Sequence, residues 1–449
     1  MTDVIFLNLI LLYIPTIHTI AIGIVYDYTY IGTENQIFFN KTFDECICQM
    51  INLNNNSISL MNYFNSNETC QLFNLNNNSL TIESYSNVTM VFLNRTSIIV
   101  TIISTHESTS TTTASLKGWT TMKNLNIARN KHTASVLSNG SVLVVGGQND
   151  NAFLNSAELY DPSTNIWSIT GNMKTTRCYH TSSLLLTGIV LITGGQNSVA
   201  SLNSVELFNL STGNWTTTRN MSITRYYHTA SLLQNGKVLV AGGSANSGYV
   251  NSAELYDPSI NTWSTTGNMN SARFRHTASV LLNGTVLVAG GYNNNAPLYS
   301  VELYNPSTGN WTTMANMTVA RYSHTASLLQ NGKVLVIGGY GNSNSLNSAE
   351  LYNPSTNSWI TTSSMTTARY FHTATVLLDG TILVTGGQSQ NNVYLNSAEL
   401  YDPSTNNWTI LSNMSTIRHS HTASLLFDGT ILVASGSNGN VSLNTNELY

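Results

Sequence analysis

Seven arginines recur in step along the chain: Arg129, Arg177, Arg225, Arg273, Arg321, Arg369 and Arg418. Three residues after each stands a histidine, from His132 to His421. Seven glutamates keep the same beat: Glu158, Glu206, Glu254, Glu302, Glu350, Glu399 and Glu447. Two chemistries suit such a set. A ring of Arg and His around a common channel would hold an anion. Alternatively, each Arg pairs with a Glu within or between repeats while each His hydrogen-bonds backbone, because a charge survives burial only when paired. Identical residues in every repeat serve the repeat, so the second arrangement is expected. Other reactive patterns are missing: the sequence has no Cys-x-x-Cys pair, no His-Glu-x-x-His, no phosphate loop and no serine elbow.

The elements that carry these residues follow from the spacing. The tryptophans are Trp119, Trp167, Trp215, Trp263, Trp311, Trp359 and Trp408, separated by 48 residues five times and then by 49. Each unit reads as four strands. HTASLL is the first. Asn-Gly or Asp-Gly follows, as at Asn235-Gly236 and Asp379-Gly380, which suits a type I′ hairpin. KVLVAGG is apolar at nearly every position, the mark of a strand buried on both faces. After a variable polar loop comes NSAELY, then an Asp-Pro-Ser-Thr-Asn turn, then a strand bearing the Trp. The Trp and Tyr positions are packing residues, and the Gly pairs allow close backbone approach or positive φ.

Gly-Gly, then Tyr, then Trp, at a period near 50, resembles the kelch repeat of the galactose oxidase central-domain-like superfamily. The resemblance covers residues 118–449 and implies an all-β, seven-bladed propeller, one blade per repeat, because a four-stranded blade buries its faces only against neighbours in a ring. Trp119 precedes the first Arg-x-x-His, and the chain reaches a third strand at Tyr449. The Trp119 strand is therefore expected to complete the blade begun at Arg418. Some kelch-type propellers are copper radical oxidases, with Tyr and His ligands at the channel mouth and a Cys cross-linked to a Tyr. Cys178 does precede Tyr179, and Tyr227 precedes His228. But strand neighbours point to opposite faces, and no loop is enlarged to build a site. The expectation is a chain that is not an enzyme and needs no cofactor or metal.

Binding is then sought where the repeats differ. The second-to-third and fourth-to-first loops open on one face. They present Gln148, Gln196, Ser244, Tyr292, Tyr340, Gln388 and Ser437 after the Gly pairs, and residues such as Tyr226-Tyr227, Phe274-Arg275, Tyr322-Ser323 and Tyr370-Phe371 between Arg and His. Aromatics mixed with neutral amides suit a protein or carbohydrate partner. Tyr226, Arg275, Tyr292, Tyr340 and Tyr370 are the candidate ligand-binding residues. The alternative is a scaffold whose like blades serve assembly.

Charged residues form only 8% of the 449, and net charge is −4 with no basic run, which argues against nucleic acid as a partner. Residues 4–25 are largely apolar and read as a signal peptide (1–23) or an N-terminal anchor, placing the protein outside the cell or on its surface. Sequons at Asn40, Asn67, Asn87, Asn94, Asn214, Asn310 and Asn407 fit that route. Residues 24–96 do not follow the repeat. ECICQM and, at 60–73, LMNYFNSNETCQLF resemble part of a PAN/apple domain, a small disulfide-pinned extracellular module. Cys70 is expected to pair with Cys46 or Cys48, since a Cys46–Cys48 bridge would close too tight a ring. Residues 97–117, with STSTTTAS at 108–115, read as a linker.

Overall fold

In the computed structural model the chain divides into two compact units, Met1–Ser115 and Leu116–Tyr449. The structure describes residues 118–293 and 296–449 in full and, before them, only the backbone of seven short strands. In the first unit Ser59–Phe64, Thr69–Asn74 and Thr81–Ser86 form a three-stranded antiparallel sheet. Two short pairs accompany it, Ile20–Ala21 with Met50–Ile51 and Val91–Asn94 with Ser97–Ile99. Cys46, Cys48, the expected signal segment apart from Ile20–Ala21, and residues 100–117 lie outside the described residues, and of Cys70 only the backbone is described. The disulfide, the PAN/apple resemblance and the leader therefore remain expectations.

The second unit is a ring of seven four-stranded antiparallel sheets. In the blade of Thr229–Leu232, Val238–Ala241, Ala253–Asp257 and Thr262–Thr265 the strands follow one another from inside outward. The first strands of successive blades touch around the axis, the last returning to the first. Every second strand is wholly buried, as the apolar runs VLVV, VLIT, VLVA, VLVI, ILVT and ILVA require. Apolar clusters fill the gaps between neighbouring blades; one joins Leu239 and Ala241 of one blade to Val286, Val288 and Tyr304 of the next.

Closure follows the expected scheme. Thr120–Thr121 adds as the fourth strand beside Asn446–Leu448, with Thr120 opposite Leu448 and Thr121 opposite Glu447. Trp119 packs on Tyr449, ring centroids 5.1 Å apart, and its Nε1 donates to the Ser412 carbonyl at 2.7 Å. Five other tryptophans repeat that bond to the blade before, as Trp263 does to Arg219 at 2.8 Å. Trp167 is the exception, its buried Nε1 lacking an acceptor, while the Lys123 carbonyl near the seam takes Nδ2 of Asn446.

The hairpin turns differ from the type I′ expected. Gly236 has φ 79°, but Asn235 is not among the positive-φ residues, and the Gly236 N–H donates to the Leu233 carbonyl at 2.9 Å. This is a type I turn closed by a left-handed glycine, the arrangement of a three-residue hairpin loop. The Asn side chain finds other use, its Oδ1 accepting the Lys237 N–H at 3.1 Å.

Candidate functional site

The repeated polar residues are consumed by the framework. All seven Arg–Glu pairs form within a unit at 2.7 to 2.9 Å, with both side chains almost wholly buried. Arg273 shows the full set: Nη1 donates to the carbonyls of Gly290 and Ser300, and Nη2 to Ser300 Oγ and Glu302 Oε1. The Glu302 carboxylate also accepts the N–H groups of Asn270 and Ser271, pinning the segment that arrives from the previous blade. Each His joins two blades. Its Nε2 meets the threonine hydroxyl of the preceding first strand at 2.9 to 3.1 Å, from Thr133 with His180 round to Thr422 with His132. That Nε2 partner is a side-chain hydroxyl, where the sequence suggested backbone. Burial, reinforced by the Arg of the same unit, pulls His132, His276 and His372 down to about 3 and the other four well below the usual value.

Above the histidines, at the loop face, lies a second closed ring. Lys131, Tyr179, Tyr227, Arg275, Ser323, Phe371 and Ser420 all take a left-handed conformation, φ 51° to 57°. The N–H of each donates to the carbonyl of its counterpart one blade back, at 3.0 to 3.4 Å, and the series returns on itself through Lys131 and Ser420. Non-glycine residues adopt this conformation only when the surroundings hold them there. The effect is to fix seven side chains of different kinds at the channel mouth.

Around that mouth the aromatics form a continuous arc. Tyr226 pairs with Ser244, Phe274 with Tyr292, Tyr322 with Tyr340 and Tyr370 with Gln388 as isolated antiparallel bridges, so the two variable loop positions of each unit lie side by side. Ring centroids run from Tyr292 to Tyr322 at 5.2 Å, to Tyr340 at 5.7 Å and to Tyr370 at 5.1 Å. At one end Tyr370 continues to Phe371 and His419; at the other Tyr292 meets Phe274 at 5.8 Å, which meets Tyr227 at 5.9 Å. Tyr227 in turn lies 3.9 Å from Tyr179. Each of these rings is half-buried.

Of the sequence candidates, Tyr292, Tyr340 and Tyr370 fall in this arc. Tyr226 borders it against Tyr179 and Tyr227. Arg275 turns inward, its guanidinium carbon 4.2 Å from the Tyr227 centroid and 4.8 Å from that of Phe371, with Nη2 donating to Tyr227 Oη at 2.7 Å. Lys131 caps the other side of the tyrosine pair, Nζ 4.9 Å from the Tyr179 centroid. Burial raises both phenols above their usual pKa, so they stay neutral beneath the two cations. Sequence reasoning missed Tyr249, stacked on Phe274 at 4.5 Å, and Tyr394, stacked on His419 at 4.8 Å. Tyr394 had a signal, because the loop that carries it holds the extra residue of the single 49-residue interval.

The family model described as the KLHDC2/KLHL20/DRC7 Kelch-repeats domain matches residues 94–277, 132–318 and 280–449. No curated protein matches the chain. Among solved structures, a fungal alcohol oxidase of the AA5 family, in complex with copper, superposes with a TM-score of 0.63 at 22% identity, covering 74% of this chain and 76% of that one. At that identity the likeness is one of fold. By its repeats, its blades and its family match, this chain belongs to the kelch-repeat family, whose propellers are commonly protein-interaction modules.

Proposed function

We propose that the protein is a non-catalytic binding module that takes a protein or glycan partner on the loop face of its propeller, outside the cell or at its surface. One observation carries the reading: the repeated Arg, Glu and His residues are spent on the framework, while the residues that vary between blades gather into a half-buried aromatic arc on one face. Rigid rings give contact area at little entropic cost. The extracellular assignment rests on the apolar stretch at 4–25 and the sequons.

The residues do not fit the copper that the oxidase neighbour holds. Tyr227 and His228 point apart, the phenol toward Arg275 and the imidazole to the hydroxyls of Thr181 and Thr193. The Cys178 thiol, pushed up to about 12 by burial, turns to Gln148. Among the described residues no three His, Cys, Asp or Glu side chains converge as a metal site would need. A scaffold role would instead use the outer edges, where Ile169, Ile360 and Ile410 stand 62%, 55% and 63% exposed.

The test is a glycan array and an affinity capture with the purified chain, followed by titration of the Tyr292→Ala/Tyr340→Ala double variant. Loss of about 1–2 kcal/mol or more of binding with an unchanged melting temperature supports the loop face. Unchanged affinity moves the site elsewhere.

A further inference from the structure

The framework arginines each end on a glutamate, but two further cations stand at the mouth without a carboxylate. Arg275 and Lys131 are half-buried, and neither is in any ion pair among the described residues. The acid on the same face, Asp150, is engaged by the N–H and hydroxyl of Ser442 at 2.8 and 2.7 Å. Arg275 is held by aromatic faces and one neutral hydrogen bond to Tyr227. Its Nε is buried without an acceptor, and so is the hydroxyl of Ser323, the next residue round the ring. Burial, and the nearby Arg275, lower the Lys131 ammonium from its usual value. Charges kept partly buried and unpaired are costly. Arg275 next to an idle hydroxyl in the ring, with Lys131 close enough to add its charge, is complementary to an oxyanion.

We propose that this mouth binds an acidic saccharide, with a carboxylate or sulfate group seated on Arg275 and Ser323, Lys131 adding to the positive field, and sugar rings lying on the tyrosines of the arc. The inference rests on the loop face being the binding surface. On binding, the guanidinium exchanges ring contacts and a neutral bond for a charge-assisted pair, the stronger kind, and the Ser323 hydroxyl gains an acceptor. A saccharide fits better than an acidic peptide because the backbone here is already spent. Tyr226 with Ser244, Phe274 with Tyr292, Tyr322 with Tyr340 and Tyr370 with Gln388 exchange their N–H and C=O groups in pairs, and the seven mouth residues bond to one another. No strand edge is left at these positions for a peptide to extend. What remains is half-buried rings and neutral amides such as Gln148 and Gln196, both also half-buried, which suit the C–H faces and hydroxyls of a sugar.

The full-length chain is titrated calorimetrically, at low and at physiological salt, with a uronate tetrasaccharide, a sulfated tetrasaccharide, a neutral counterpart and a hexaglutamate peptide. One or both acidic sugars should bind at least about tenfold tighter than the neutral one, the advantage shrinking with salt; which of them does so separates carboxylate from sulfate. Arg275→Gln, Lys131→Gln and Ser323→Gly should each reduce that advantage without lowering the melting temperature. Glycine is chosen because φ at Ser323 is 51°, which it adopts freely, so this variant decides the matter if Arg275→Gln fails to fold. Equal binding of acidic and neutral sugars, tighter binding of hexaglutamate, no saccharide binding at all, or full acidic preference in the variants would overturn the proposal. Equal binding of acidic and neutral sugars that is lost for both in Tyr292→Ala/Tyr340→Ala would sink the anion seat while leaving the loop-face reading standing.

Discussion

Acid should unfold the propeller over a narrow pH range, because its blades are joined by histidines that must stay neutral. The seven imidazoles are buried and lie at about 3, or well below the usual 6.5, in the fold. Unfolded, each returns to about 6.5. A folded value below the unfolded one means that stability is complete above pH 6.5 and is lost as pH falls toward the folded value. At pH 5.5 each unfolded ring is about 90% protonated, which favours unfolding by about 1.4 kcal/mol, and the seven together by about 10 kcal/mol. That equals the whole margin of an ordinary domain, about 5–15 kcal/mol. The limiting slope is about 9.5 kcal/mol per pH unit. His419, lowered to about 4 by burial and then by Lys131, adds up to one more proton. Urea unfolding followed by tryptophan fluorescence, repeated from pH 8 to 5, reads the proton count directly from that slope. About seven protons are expected. Two or fewer would show that the rings are not held neutral by burial, and the inter-blade His–Thr ring would lose its place in the account.

Three other perturbations follow from the framework. Deleting residues 1–117 should leave the propeller's melting temperature unchanged, whereas deletion through Asn126 removes the Trp119 strand and should lower it sharply; equal melting would refute the closure scheme. Arg273→Met strands the Glu302 carboxylate and should cost about 3–5 kcal/mol in urea unfolding, and a harmless substitution would mean that the buried pair carries no stability. At Gly387, φ is 98° and an added Cβ would stand 2.8 Å from both His372 Cβ and the Tyr370 carbonyl, so Gly387→Ala should lose at least about 2 kcal/mol by thermal melting.

The ring was legible in the sequence because its physics repeats. Trp, Arg, His, Gly-Gly and Glu each answer the same local demand in every blade, so spacing alone exposed the blade count and the closing strand at Trp119. The turn at Asn235-Gly236 was misjudged because a dipeptide does not distinguish a two-residue loop from a type I turn closed by a left-handed glycine. The mouth was only partly legible. Lys131, Tyr179, Tyr227, Arg275, Ser323, Phe371 and Ser420 share a conformation but no side-chain type, because tertiary position and the closed backbone ring impose it. Nor does a sequence tell that Arg275 reaches across to Phe371, which lies two blades further on. Tyr249 and Tyr394 sit in loops whose course depends on the neighbouring blade.

The closing strand also has a mechanical consequence. The first residues of the propeller to follow the chain's other unit are Trp119 and Thr120–Thr121, and these are the residues that hold the last blade shut. Tension arriving from the N-terminal side of Trp119 therefore meets the seam before any other part of the ring. It acts first on a two-residue ladder, one indole hydrogen bond and the Trp119–Tyr449 contact, and then on the bonds that tie Met122, Lys123 and Leu125 to Asn444 and Asn446, while the other six blades, whose strands are continuous in the chain, are loaded only afterwards. A pull on this protein should peel the ring open at one place and leave the remaining blades intact, and release should let the same strand find its old edge again.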